Sequence, residues 1–253
     1  IYDKSQHCLV CIYTIFLRYM SDVLNSGKKA LILDFDHTCY DTDAFLLFEI
    51  RQPIFNKFKV SNVDWETSYE ETVKTGYSIE KHLDEISKVL GVSIKDEDRK
   101  EIIDNIDCEK YLYPDTISFV KKAKEMGYMI VLLSYGYESW QNKKVMGSGL
   151  NKFMDDIKYV IEDEHCSKAK VVGSYSESHG KVIFVDNKGA NVDEVHREFP
   201  KVETYFMNRV LDTDVLRADS EYVRIRYAES RKIAEKEALP VHCRCFSLSE
   251  VLL

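Results

Sequence analysis

The sequence predicts an α/β protein built on a parallel sheet with a helical module inserted into it. Five short apolar runs rich in β-branched residues are separated by stretches of helical periodicity, and one of the intervals is several times longer than a crossover helix needs. Three of the runs also close on a small polar or acidic residue, Asp34, Ser134 and Asp186. In an open parallel sheet the carboxyl ends of the strands are where ligands bind, so these endings mark the expected site.

Residues 1–28 read as an N-terminal extension. Leu9 to Leu17 is apolar but too short to span a bilayer and is followed at once by Arg18, so a docked helix is preferred over the core of a signal peptide. The first strand is expected over Ala30 to Phe35. Trp65, Tyr69 and Val73 then fall at helical spacing, as do Ile79, Leu83, Ile86 and Leu90 ahead of Gly91, and Ile102, Ile103 and Ile106 cluster again. Residues 45–110 are therefore expected to form a small helical module over the sheet, separable from a core of residues 29–44 and 111–253. In that core, Pro114 is expected to open a helix whose inward stripe is Ile117, Val120 and Ala123 and whose end is Gly127. The remaining strands are expected over Tyr128 to Leu133, Ile157 to Ile161, Lys181 to Val185 and Val202 to Phe206. Alternating strands and helices imply parallel pairing with right-handed crossovers.

Composition narrows the partners. A formal charge of -8 over 253 residues argues against a broad nucleic-acid or anionic-membrane surface, which needs clustered Lys and Arg. The densest basic stretch, Arg217 to Lys236, is interleaved with Asp219, Glu221, Glu229 and Glu235, as on a solvated helix face. Seven cysteines are an odd number in a chain large enough to need no staples, so reduced thiols and a cytoplasmic setting are expected. Cys8-x-x-Cys11 and Cys243-x-Cys245 sit in apolar runs without partners at zinc-site spacing and read as buried thiols.

The chemistry concentrates at Asp34 and Asp36. Two carboxylates at i and i+2 past a strand end repel unless a cation lies between them, and Asp186 from another strand would complete an oxygen set of the kind Mg²⁺ prefers. An ionised Asp held against a metal and a phosphoryl group can attack phosphorus, and a second Asp can protonate the leaving alkoxide and then activate water. Taken alone, Asp36-His37-Thr38 is equally well explained as ordinary turn chemistry.

The run Leu31-Ile32-Leu33-Asp34-Phe35-Asp36-His37-Thr38 resembles the first motif of the haloacid dehalogenase superfamily, hhhDxDxT. Val131 to Ser134 resembles the second motif, and Val182 to Asn187, with Asn191 and Val192 after it, resembles the acidic fourth. The resemblance implies a Rossmann-like five-stranded parallel sheet in the order 5-4-1-2-3, with a helical cap of the first class at 45–110. It further implies Asp34 as nucleophile, Asp36 as general acid and base, and Thr38, Ser134 and a third-motif lysine on the phosphoryl group. Lys168 and Lys170 are both in range; Lys168 fits better because the family's lysine sits at a helix start. Asp34, Asp36, Asp186 and Asn187 are the implied Mg²⁺ set, Asn187 standing where many members carry a second Asp. His37 replaces the commoner Gly or small residue of the motif.

The implied activity is a Mg²⁺-dependent phosphatase of a small phosphorylated metabolite, because the dehalogenases themselves lack the second Asp. A phosphotransferase or phosphomutase would use the same motifs. A receiver domain would lack Asp36 and the insertion, and a non-catalytic binding protein would have no need of the full set.

Overall fold

A computed structural model describes residues 27–74, 76–161, 167–209, 238–239 and 241–253. Leu9 to Leu17, the pair Cys8 and Cys11, and the basic stretch from Arg217 to Lys236 lie outside the described residues.

All five expected strands form: β1 (Lys29–Leu33), β2 (Tyr128–Tyr135), β3 (Asp156–Val160), β4 (Lys181–Asp186) and β5 (Glu203–Met207). They pair in parallel in the order β3-β2-β1-β4-β5, and a sixth strand, β6 (Cys243–Cys245), adds to the β5 edge. Three residues leave too little alternation to be read as a strand from sequence. Cys243, at the start of this short edge strand, is exposed while Cys245 is buried, which corrects the expectation that both thiols are inside.

β1 is central, between β2 and β4, and Ala30 to Leu33 are fully buried. Leu31 and Leu33 pack into one apolar cluster while Ala30 and Ile32 pack into the other, as period-2 geometry requires of a strand covered on both faces.

The long interval after β1 holds α1 (Thr42–Phe45), a π-helical turn (Leu46–Arg51), α2 (Gln52–Phe58), α3 (Asn62–Val73), α4 (Ile79–Leu90) and α5 (Asp96–Asp104). Ser61 and Ser78 cap α3 and α4 by accepting from Asp64 N and Lys81 N, and Gly91 ends α4 with a φ of 66° that a residue with a Cβ adopts reluctantly. The buried face of α3 is Trp65, Ser68 and Thr72, whereas Val73 points outward. The hydroxyls of Ser68 and Thr72 bond carbonyls of their own helix, so both enter the interior without an orphaned group. Buried His82 accompanies Ile79, Leu83 and Ile86 on α4, its ring nitrogens 3.1 Å from Ser68 Oγ and 3.1 Å from the Tyr77 hydroxyl.

The rest of the chain adds α6 (Thr116–Glu125), α7 (Glu138–Gly147), α8 (Lys168–Ser178) and α9 (Gly189–Glu198). Pro114 sits in the turn ahead of α6 rather than in its first turn, and the inward stripe is Phe119, Val120 and Ala123, with Ile117 at its margin. α8 and α9 cover one face of the sheet; α6, α7 and the insertion cover the other.

The insertion is not packed as a separate unit. Its apolar residues run into the sheet cluster without a break, through Phe45 against Tyr111 (5.6 Å between rings) and Trp140 (6.1 Å), and through Tyr77 against Trp140 (5.5 Å). Excising 45–110 would uncover Tyr40, Tyr111 and Trp140, each 5% exposed or less. The truncated chain should therefore lose a cooperative thermal transition or melt well below the whole protein, instead of surviving as a stable sheet domain. A truncated chain that melts cooperatively near the parent temperature would contradict this.

Candidate active site

Asp34 is the first residue past β1, and its N–H still bonds Val185 O at 2.9 Å, which carries the ladder to β4 one step beyond the strand. The chain then folds back on itself. Phe35 O accepts from the N–H groups of Thr38, Cys39 and Tyr40 at 3.3, 2.9 and 3.0 Å. The turn places His37 at a φ of 58°, which explains why a glycine suits this position; His37 adopts it with Nδ1 3.6 Å from Asp43 Oδ2. The outcome is that the Thr38 hydroxyl donates to Asp34 Oδ2 at 3.1 Å.

Lys168 reaches the same carboxylate from the opposite side. Ser167 caps α8, making Lys168 its first residue, and the Lys168 ammonium donates to Asp34 Oδ1 at 2.5 Å and to Asp186 Oδ2 at 2.7 Å. Lys170 is exposed, so of the two candidates Lys168 is the residue at the site. Asp186 is engaged further by Lys188 N–H at 2.7 Å and Asn191 Nδ2 at 3.0 Å. Burial, reinforced by the neighbouring Asp186 charge, pushes the Asp34 carboxyl up to about 6 in spite of the Lys168 ammonium. Burial also disfavours the Lys168 charge, but the two carboxylates outweigh it and hold the ammonium above its ordinary value.

Asp36 stands apart from that cluster, in a cradle of three donors: Lys144 Nζ and Thr42 Oγ1, each 2.5 Å from Oδ1, and Gln141 Nε2, 3.0 Å from Oδ2. Burial would raise this carboxyl, yet the Lys144 ammonium with the hydrogen bonds from Lys144 and Thr42 holds it down at about 2. Lys144 is itself only 3% exposed and is central to the electrostatics of the site. Sequence reasoning missed it because it follows Lys143 in a polar helix, where a solvated lysine is the ordinary expectation. Gln141, one turn earlier on the same face of α7, carried no signal either.

Ser134 lies in β2, and with Leu33 opposite Leu132 it falls just beyond the level of Asp34. It is fully buried, and its hydroxyl has no hydrogen-bond partner among the described residues. A buried hydroxyl left in that state at a strand end suits an oxyanion that accepts from it. The Asn187 amide lies beside both Asp34 and Asp36. One terminal atom of its amide lies 3.3 Å from Asp34 Oδ2 and 3.3 Å from the Asp36 carbonyl oxygen. As nitrogen, that atom donates to both; as oxygen, it makes three oxygens converge, which is the donor set a hard cation requires. Asp34, Asn187 and the Asp36 carbonyl thus fit Mg²⁺, whereas the Asp36 side chain faces Lys144 and the Asp186 carboxylate is taken up by Lys168. No group of three His, Cys, Asp or Glu side chains among the described residues is arranged to hold a metal.

No family model matches the sequence, and no curated protein is detectably similar to it. Solved structures, however, superpose over most of its length. A haloacid dehalogenase-like hydrolase from Burkholderia xenovorans aligns with a TM-score of 0.66 at 17% identity, over 89% of this chain and 99% of that one. This chain has the haloacid dehalogenase-like fold. L-2-haloacid dehalogenase from Xanthobacter autotrophicus aligns with a TM-score of 0.59 at 15% identity, covering 88% of this chain and 96% of its own. A haloacid dehalogenase-like family hydrolase from Xanthomonas campestris aligns at 0.53 and 14% identity, over 81% and 95%. At these identities the likeness is one of fold. The haloacid dehalogenase-like sheet carries Asp34 at the end of its central strand here, with Asp186 on the adjacent β4.

The Asp34 environment has a consequence for stability. Its folded value of about 6 exceeds the ordinary 3.8, so its contribution is present below about pH 4 and is lost as pH rises through 6. Asp34→Asn escapes that loss. In metal-free buffer the melting temperature of the variant relative to the parent should rise between about pH 4 and 7, by the equivalent of at most about 3 kcal/mol. A difference that stays constant across that range would contradict the burial argument.

Proposed function

We propose that the chain is a Mg²⁺-dependent phosphatase of a small phosphate monoester and works through an aspartyl-phosphate on Asp34. The observation that carries this is the second carboxylate, Asp36, two residues beyond the nucleophile and fixed by Lys144, Thr42 and Gln141. Carbon-halogen cleavage needs no general acid at its first step, since halide leaves without a proton. An alkoxide leaves poorly without one.

In this reading an Asp34 oxygen attacks phosphorus, and the bond to the leaving oxygen breaks. The phosphoryl oxygens take hydrogen bonds from Ser134, whose buried hydroxyl is otherwise unmatched, and charge from Lys168, with Thr38 steadying the nucleophile. Bound Mg²⁺ would neutralise negative charge on the nucleophile and the transferred group. Asp36 then takes a proton from the water that attacks the aspartyl-phosphate, a task suited to a carboxylate that is ionised in the resting state. For its earlier task, protonating the alkoxide, Asp36 must first take up a proton from solvent, which requires the Lys144 contact to loosen as substrate enters. The helices of 45–110 serve as the cap that excludes water and meets the distal part of the substrate. A phosphotransferase would share every one of these steps except the last acceptor.

No helix among the described residues is long and apolar enough to cross a membrane. The free thiols Cys39, Cys108, Cys243 and Cys245 fit the reducing cytoplasm proposed for the protein.

The test is release of inorganic phosphate from a panel of phosphorylated metabolites, with chloride release from 2-chloropropionate run in parallel. Phosphate release should vanish with EDTA, return with Mg²⁺ and be abolished in Asp34→Asn. Asp36→Ala should slow alkyl phosphates by roughly 10²–10⁴-fold. Halide release in place of phosphate release, or an Asp36→Ala variant as fast as the parent, would refute the proposal.

A further inference from the structure

The loop that carries Thr38 is held from below by a residue distant in sequence. Arg209 follows β5 with its side chain 8% exposed; its Nε and Nη2 donate to the Thr38 carbonyl at 3.1 and 2.8 Å. The other edge of the guanidinium meets Asp115, Nη1 to Oδ2 at 2.8 Å and Nη2 to Oδ1 at 2.9 Å, a bidentate pair over the ring of Tyr113 at 4.2 Å. Asp115 Oδ2 also accepts Leu248 N–H at 2.7 Å, which ties in the segment after β6.

The surrounding segment is stitched to the same loop. Asp41 N–H donates to Tyr111 O at 2.7 Å, Tyr113 N–H to Cys39 O at 3.0 Å, and the Thr116 hydroxyl to Cys39 O at 3.0 Å. The two crossings between sheet and insertion, near residues 38–41 and 111–116, are therefore joined side by side with Arg209 against both.

We propose that Arg209, aligned by Asp115, is a positioning residue for the nucleophile and acts through Thr38. The inference rests on the reading of Asp34 as nucleophile. Two charge-assisted hydrogen bonds fix the Thr38 carbonyl and with it the Thr38 peptide. The Thr38 hydroxyl is then fixed against Asp34 Oδ2 while Lys168 holds Oδ1, so the plane of the carboxylate is set from both ends. Lysine cannot replace the arrangement, because one ammonium cannot span a carbonyl and a carboxylate in a planar fork.

The experiment compares the parent with Arg209→Met, Arg209→Lys, Asp115→Asn, Thr38→Val and the double variant Arg209→Met with Thr38→Val, each checked for a cooperative thermal transition. A misplacement on the order of 1 Å can cost roughly 10²-fold in rate, so Arg209→Met should lower kcat about 10- to 100-fold on a phosphate ester while KM stays within about twofold. Arg209→Lys should remain low, and adding Thr38→Val to Arg209→Met should cost far less than Thr38→Val alone, since both act on one oxygen. Asp115→Asn, which keeps an acceptor for Leu248 N–H, should move kcat in the same direction by less and serves if Arg209→Met does not fold. Amide exchange at His37, Cys39 and Tyr40, whose N–H groups close the turn, should quicken in the Arg209 variants with no comparable change in β1 to β4. Parent-like kcat in Arg209→Met, or additive effects of the two substitutions, overturns the proposal. Should the parent protein release no phosphate, the phosphatase reading fails, and unchanged exchange at His37 to Tyr40 would then overturn the positioning role by itself.

Discussion

The site depends on one buried cation. Lys168 lies between the carboxylates of Asp34 and Asp186, all three at most 3% exposed, and without it two like charges would face each other in a medium that screens poorly. The parallel sheet imposes this arrangement, since β1 and β4 are adjacent and each ends on its acid. Removing the ammonium while leaving both carboxylates would cost several kcal/mol, of the order of 3–5 for a broken buried pair. The helix start at Ser167 is what lets a lysine reach so far inside, because the first residue of α8 points back over the strand ends.

A second cation, Lys144, does for Asp36 what Lys168 does for Asp34, and the two carboxylates are driven in opposite directions. Asp34 is pushed up by burial and the Asp186 charge; Asp36, though buried, is held down by the Lys144 ammonium and the hydrogen bonds from Lys144 and Thr42. Environments that separate the pKa values of neighbouring acids are how one site assigns different roles to the same side chain. With Asn187 in place of an acid, the described site carries Asp34, Asp36 and Asp186 against Lys168 and Lys144, a balance of -1 that leaves room for a divalent cation and a phosphate dianion.

Much of this was legible in the sequence. β1 to β5 each betray themselves as apolar runs, and the strand endings Asp34, Ser134 and Asp186 mark the site because a buried strand has no reason to close on a polar group otherwise. The choice of Lys168 over Lys170 follows once Ser167 is recognised as a cap. Lys144 and Gln141 stayed hidden, since both lie in an ordinary polar helix and are brought to Asp36 only by tertiary packing, and Thr42 reads as a plain helix-start residue. Arg209 had a fainter signal: it follows Phe206-Met207-Asn208, a fourth strand ending in polar residues. The sharing of one core by sheet and insertion could not be read from periodicity at all, because a buried stripe does not say what it is buried against.

The central claim is that Asp34 becomes covalently phosphorylated. Rapid acid quenching of Asp36→Ala during turnover of an aryl phosphate, followed by intact-mass and peptide-level mass spectrometry, tests it directly, because the slowed second half-reaction should let the intermediate accumulate. The account predicts a phosphoryl adduct located on Asp34 and absent from the same variant carrying Asp34→Asn. Turnover without any adduct, or an adduct on another residue, would contradict it.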